Sequence, residues 1–334
     1  MSDYGSLIPV NVVTGFLGSG KTTLLQRLLQ APDLKETAVL VNEFGEVGLD
    51  HHLLEEVAES TLLLDNGCLC CAIRGDLKES LRTLLSQRER GEVPYFKRVV
   101  IETSGLADPV PIAYTVLAEP VIQHHYRLGA VITTSDAVQG AEQLDRHGEA
   151  LKQAAAADHL VITKTDIAEP EKAAALRARL AQVNPSAECH SAQTDSLDPM
   201  ALLDHDPFRA DGKDVERQRW TALAAAEPSP THDHSAGVTS FVMTFEAPMD
   251  WTAFGIWLTM LLNHHGEKVL RVKGLVHVAG LTAPVLINGV QHVIHPPIHL
   301  GKWPDDDRRT RLIFIVQGLE EGQIRRSLER FNGL

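Results

Sequence analysis

Near the start of the chain, Gly15-Phe16-Leu17-Gly18-Ser19-Gly20-Lys21-Thr22 separates a Val-rich apolar run, IPVNVVT, from a segment of helical period, TTLLQRLLQ. The spacing G-x-x-x-x-G-K-[ST] between a strand and a helix constrains this chain more than any other feature. Such glycines let backbone N–H groups close around a phosphate, and the positive end of the following helix adds to the field. Lys21 can then bridge β- and γ-phosphates while the Thr22 hydroxyl holds Mg²⁺. The candidate phosphate-binding set is Gly15, Gly18, Ser19, Gly20, Lys21, Thr22 and Thr23. A glycine-rich turn without a ligand is the plainer alternative, and the flanking strand and helix argue against it.

The same alternation continues to about Ser191. TAVLVN, STLLLD, KRVVIET, LGAVITT and HLVITK read as buried strands, and residues 21–30, 75–90, 143–157 and 171–182 read as helices. Repeated βαβ units predict an α/β fold with a doubly wound, mostly parallel sheet. The texture changes over residues 204–236, where acids, Pro, Gly and Ser predict an exposed connection with one short helix near 215–226. VTSFVMTFE, VLRVKGLVHV, PVLINGV and TRLIFIVQG are strand-like, and two helical segments accompany them, the first opened by Asp250 as N-cap. The expected plan is a phosphate-loop domain over 1–203, a linker over 204–236 and a smaller α+β domain over 237–334.

A phosphate loop of this kind needs a second acid for Mg²⁺ at the end of a neighbouring strand. KRVVIETSG offers Glu102, with Gly105 three positions later, as in a D-x-x-G segment where the Gly N–H faces the γ-phosphate. Lys21 and Glu102 are the candidate catalytic pair, and Thr22 and Glu102 the candidate Mg²⁺ pair. Leu106 stands where many GTPases carry the Gln that orients water, so intrinsic hydrolysis should be slow. Thr163-Lys164-Thr165-Asp166 approaches N-K-x-D, in which the Asp carboxylate accepts from guanine N1–H and the exocyclic amine. Thr163 departs from that pattern and Asp166 keeps it. Ser191-Ala192 is a candidate second base-contacting segment.

Three of the four cysteines crowd into Cys68-Leu69-Cys70-Cys71. If STLLLD runs parallel to IPVNVVT, they lie on the phosphate-loop rim, because ligands gather at the carboxyl ends of parallel strands. Thiolates suit Zn²⁺, Co²⁺ or Cu(I); a redox pair or inert buried thiols are the alternatives. Glu43, Glu46 or water can complete a tetrahedral set, and a closing Glu43 loop would tie metal affinity to the nucleotide. His232, His234, His264, His265, His295 and His299 read as ordinary surface or packing residues, and Cys189 as a core residue.

Thirty-one basic against 44 acidic side chains give a net charge of −13, which speaks against nucleic acid as a partner. No apolar run approaches the ~18 residues of a membrane span. The start, MSDYGSLIPV, lacks the features of a signal peptide. Four cysteines in such a chain are no disulfide framework, so the expected compartment is the cytosol.

In this order, TGFLGSGKTT, VNEFGEVGLD, GCLCC, VVIETSGLADP and ITKTD resemble the CobW-type metal-associated GTPases, and LRVKGLV, INGVQH and KWPDDDRRTRLIFI resemble their C-terminal domain. The resemblance implies GTP hydrolysis with Mg²⁺ and a transition metal, Zn²⁺ or Co²⁺, at Cys68, Cys70 and Cys71. Lys21, Thr22, Glu102, Lys164 and Asp166 would then serve the nucleotide. It further implies a client metalloprotein as partner and is compatible with a homodimer. Two readings stay open: a GTP-switched metal carrier, or an activation factor for a metalloenzyme in which client binding outweighs carriage. A P-loop kinase is a more distant third, disfavoured by Asp166 because ATP needs no guanine loop.

Overall fold

The computed structural model describes residues 6–42, 62–63, 69–72, 76–193, 197–203 and 237–334. The chain divides into two compact units, one comprising Met1–Gln153, Ala157–Arg177 and Glu188–Asp206, the other Ala154–Ala156, Ala178–Ala187 and Pro207–Leu334. The predicted linker, with its short helix and with His232 and His234, lies outside the described residues.

In the first unit β1 (Ile8–Gly15), β2 (Thr37–Asn42), β3 (Leu62–Leu63), β4 (Leu69–Ala72), β5 (Arg98–Thr103), β6 (Tyr126–Asp136), β7 (His159–Thr163) and β8 (Glu188–Ser191) form one sheet in the order β3-β4-β2-β5-β1-β6-β7-β8. The Val- and Ile-rich runs of β1, β5, β6 and β7 are buried on both faces, as helices on either side require. Val12, Leu40 and Ile101 pack on one face with Leu81 and Leu84 of the helix Leu77–Glu89. Val13, Val39, Val100 and Val161 point the other way, onto Leu24, Leu25 and Leu28 of the helix Lys21–Leu29. In chain order the helices up to residue 203 are α1 (Lys21–Leu29), α2 (Leu77–Glu89), α3 (Val110–Ala118), α4 (Gly140–Arg146), α5 (Gly148–Ala156), α6 (Pro170–Val183) and α7 (Pro199–Leu203), the ends of α5 and α6 belonging to the second unit.

Two local expectations change. The STLLLD strand is not parallel: its described part, β3, pairs antiparallel with β4. Cys70 and Cys71 therefore belong to a strand, β4, that runs parallel to β2, rather than to a loop after STLLLD. The single helix expected over 143–157 is two, because His147 is extended (φ −123°, ψ 112°) and Gly148, a poor helix former, follows it. The His147 ring stacks on Phe16 with centroids 4.5 Å apart, which holds the break at the phosphate loop.

In the second unit β9 (Val238–Phe245), β10 (Val269–Val276), β11 (Val285–Val290), β12 (Val293–Ile294) and β14 (Thr310–Gln317) form an antiparallel sheet in the order β12-β11-β10-β14-β9, and β13 (Ile298–His299) pairs with β11. Val272 and Phe314 share a core with Trp257, Leu258 and Leu262 of α8 (Trp251–His265) and with Ile324 and Leu328 of α9 (Glu321–Asn332). This is an α+β layer pair. Buried Arg311 is met by both Asp305 oxygens, at 2.7 and 3.0 Å, so its charge enters the sheet paired. Asp250 caps α8 as expected, accepting from Ala253 N at 2.7 Å. Asp250→Ala should cost about 1 kcal/mol, read as a lower urea midpoint with an unchanged slope. No helix among the described residues is long and apolar enough to cross a membrane.

Candidate functional site

The carboxyl ends of β1, β5, β6, β7 and β8 form one rim, where a doubly wound sheet gathers its ligands. After β1 the chain turns through Gly15 (φ 142°), Gly18 (φ 69°) and Gly20 (φ 85°), backbone conformations that favour glycine. Gly15 also has no room for a side chain: a Cβ there would sit 2.3 Å from Thr134 Oγ1. Ser19 is fully buried, its hydroxyl 2.6 Å from that of Thr134, which anchors the loop to β6. The first turn of α1 carries no acid, so its positive end is left for an anion. Thr22 and Thr23 are exposed there.

Lys21 folds back over the loop, donating to the carbonyls of Gly15 (3.0 Å) and Phe16 (3.3 Å). Burial pushes its ammonium below the usual lysine range, with the negative Glu102 opposing. Glu102 is buried at the end of β5, level with Val13, and accepts from the Thr22 hydroxyl at 2.5 Å. The predicted Mg²⁺ pair is thus in contact. A hydroxyl and a carboxylate are hard donors that fit Mg²⁺. Gly105 lies against the phosphate loop, where a Cβ would stand 2.7 Å from Leu17 N. Gln153 of α5 fixes that segment, donating to Gly105 O (3.2 Å) and Ala107 O (3.0 Å). Gln153 was not foreseeable from the sequence, since nothing in an alanine-rich helix marks it.

On the far side of β1, the Thr163 hydroxyl donates to Ser19 O at 2.7 Å. The residue that departs from N-K-x-D still braces the phosphate loop. Lys164 (φ 56°) donates to Asp136 Oδ2 at 2.7 Å. Asp136, overlooked in the sequence, was signalled only by an acid closing the LGAVITT strand. Asp166 Oδ1 accepts from Gln193 Nε2 at 2.9 Å, while Gln193 Oε1 accepts from the Thr165 hydroxyl at 2.8 Å. Ser191 Oγ stands 3.2 Å from that hydroxyl, and Arg27 holds the Ala192 carbonyl. The expected second base segment is therefore adjacent to Asp166, and Gln193 belongs to it.

In the cysteine region, Cys70 is level with Val39 and Cys71 with Leu40, while Ala72, one step on, is level with Val41 and through it with Glu102. Cys68, Glu43 and Glu46 lie outside the described residues. His264, His265, His295 and His299 join no group of three metal-ligating side chains among the described residues.

Fold and site together define a P-loop GTPase carrying an appended α+β unit. Residues 9–191 match the family described as CobW/HypB/UreG, nucleotide-binding domain, and residues 238–332 match the cobalamin synthesis protein cobW C-terminal domain. The chain belongs to the CobW/HypB/UreG family. It is 33% identical over 320 residues to the zinc chaperone YjiA of Escherichia coli K12, covering 95% of this chain and 96% of that protein. It is 31% identical over 360 residues to the zinc chaperone CobW of Pseudomonas aeruginosa, covering 96% of this chain and 90% of that one. The crystal structure of Zn(II)-bound YjiA GTPase from E. coli superposes with a TM-score of 0.75 at 30% identity, covering 97% of this chain and 99% of that one.

Proposed function

We propose that this chain is a GTP-switched carrier of zinc or cobalt, which binds its cargo at Cys68, Cys70 and Cys71 with Glu43 and yields it to a client metalloprotein. Residues 1–203 carry the GTPase, 204–236 connect, and 237–334 form the C-terminal domain. The relatives named zinc chaperones match this chain nearly end to end, which supports metal as the cargo.

Gly15, Gly18, Ser19, Gly20, Thr22 and Thr23 enclose the phosphates with backbone N–H groups and the α1 terminus, and Lys21 supplies the cation. Mg²⁺ held by Thr22 and Glu102 would neutralise charge building on the phosphate oxygens. Gly105 offers its N–H to the γ-phosphate, and Asp166 selects guanine with Thr163 and Lys164 as braces. Leu106 has no polar group with which to orient water, so hydrolysis is slow and the GTP state lasts.

The observation that carries the switch is register. The end of β4, the strand of Cys70 and Cys71, is level with Glu102 across β2. Two strand spacings, about 10 Å, separate the strand of the cysteines from the strand of the acid. Glu43 directly follows β2, the strand between them. A γ-phosphate at Glu102 and Gly105 can thus bias the Glu43 segment and the fourth ligand position together. Zn²⁺ and Co²⁺ competition titrations with GDP and with a non-hydrolysable GTP analogue test this. The analogue should tighten metal binding about 5–150-fold, the usual span of coupling, and metal should tighten the analogue by the same factor. Cys70→Ser should remove this nucleotide-dependent equivalent while metal-free nucleotide binding persists. Identical metal affinity in both nucleotide states would leave the activation-factor reading.

A further inference from the structure

At the opposite end of β7 from Thr163, His159 opens the strand, and its neighbour in register on β8 is Glu188. His190, two residues on, shares a face with Glu188 because strand side chains alternate. His159 Nδ1 stands 3.2 Å from His190 Nε2, and Glu188 Oε2 is 3.4 Å from each of these nitrogens. The His159 side chain is 1% exposed, that of Glu188 23% and that of His190 25%, so the group is rooted in the sheet and open on its outer side. Among the described residues this is the group of His, Cys, Asp and Glu whose ligand atoms converge.

We propose that His159, Glu188 and His190 form a second transition-metal site, for Zn²⁺ or Co²⁺, separate from the cysteines. A tetrahedral ion with bonds of about 2.0–2.1 Å to nitrogen and oxygen spaces its ligand atoms about 3.3 Å apart. The triangle of 3.2, 3.4 and 3.4 Å is one face of that tetrahedron. Ring protons can satisfy at most two of the three pairings, whereas an ion satisfies all three at once. Two imidazoles and a carboxylate with an open fourth position form an exchangeable set rather than a closed structural one. Cys189 takes no part, since alternation turns it to the other face. It is only half-buried on the edge strand, which corrects the expectation of a core thiol. The site lies about four strand residues, or roughly 13 Å, from the nucleotide rim, so its metal is held without the phosphate loop.

The test uses the full-length chain with Cys68→Ser, Cys70→Ser and Cys71→Ser combined, titrated with Co²⁺ alone and then with Zn²⁺ in competition. One equivalent should remain, with a tetrahedral cobalt spectrum and an absorption-edge fine structure of nitrogen and oxygen neighbours only. Adding His190→Ala or Glu188→Gln should weaken it about a hundredfold. Circular dichroism of the metal-free variants should be unchanged, since these two side chains are partly exposed. If the cysteine-free protein takes up no metal, or if uptake survives both added substitutions, the triad is a hydrogen-bonded cluster only and the proposal fails. Because the cysteines are absent throughout, neither result depends on the nucleotide switch.

Discussion

Asp166→Asn is expected to lower GTP affinity by up to about 10⁴-fold and to make xanthosine triphosphate the preferred nucleotide, because a site built to hydrogen-bond one ligand rejects a mismatched one by about 10⁴–10⁵. The wild-type carboxylate can accept from both guanine N1–H and the exocyclic amine. An amide in its place points an NH₂ group at one of those donors, whereas xanthine offers a carbonyl there. Asp166 is already oriented by Gln193, at 2.9 Å, so little ordering is left for the base to impose. Adenine has no N1 proton, and it would leave the carboxylate desolvated without a donor. Titration of fluorescent GTP, ATP and xanthosine triphosphate into both proteins reads the switch directly. Equal wild-type affinities for ATP and GTP would remove Asp166 from base selection.

Most of this rim could be read from the sequence because each of its parts is local. Phosphate-loop glycines, an acid closing a Val-rich strand and an Asp three residues after a strand are chemistry carried by adjacent positions. Glu102 and Thr22 are 80 residues apart, yet both stood out because strand ends and helix starts converge in a parallel sheet. Gln153 and Asp136 did not stand out. Their work is done across the sheet, on the Gly105 carbonyl and the Lys164 ammonium, and no spacing rule ties them to those partners.

The cysteine strand and the histidine triad show where such reading stops. STLLLD has the composition of any buried strand, and composition is silent on direction; antiparallel β3 turned an expected loop into strand β4. His159 and the ECHS segment are 29 residues apart in order and adjacent only through the β7–β8 register. A strand opened by His, with Glu-x-His on another, was the available signal. It means something only once the two strands are known to be neighbours. The break of one expected helix at His147 has the same origin, because the ring that ends α4 is placed by Phe16 in the phosphate loop.

Lys21→Ala should lower GTP turnover by about 10²–10³-fold, the range found when one preorganised donor to a developing charge is removed. The starting rate is itself expected to be slow, well under the ~1 s⁻¹ low end of common enzymes, because Leu106 cannot position water. Lys21 is the cation that the loop holds against its own carbonyls at 3.0 and 3.3 Å. Burial lowers its affinity for a proton, and Glu102 opposes that. A bound γ-phosphate would reinforce Glu102 and favour the ammonium, so the charge is present where the reaction needs it. Lys21→Arg should not restore turnover, since a planar guanidinium cannot replace a compact ammonium folded back over the Gly15 and Phe16 carbonyls. Melting temperature should change little, since both hydrogen bonds of the Lys21 ammonium stay within its own loop. Phosphate release measured at saturating GTP checks the chemistry, and nucleotide titration separates it from binding. A Lys21→Ala protein that turns over within fivefold of the wild type would place the hydrolytic cation elsewhere on the rim.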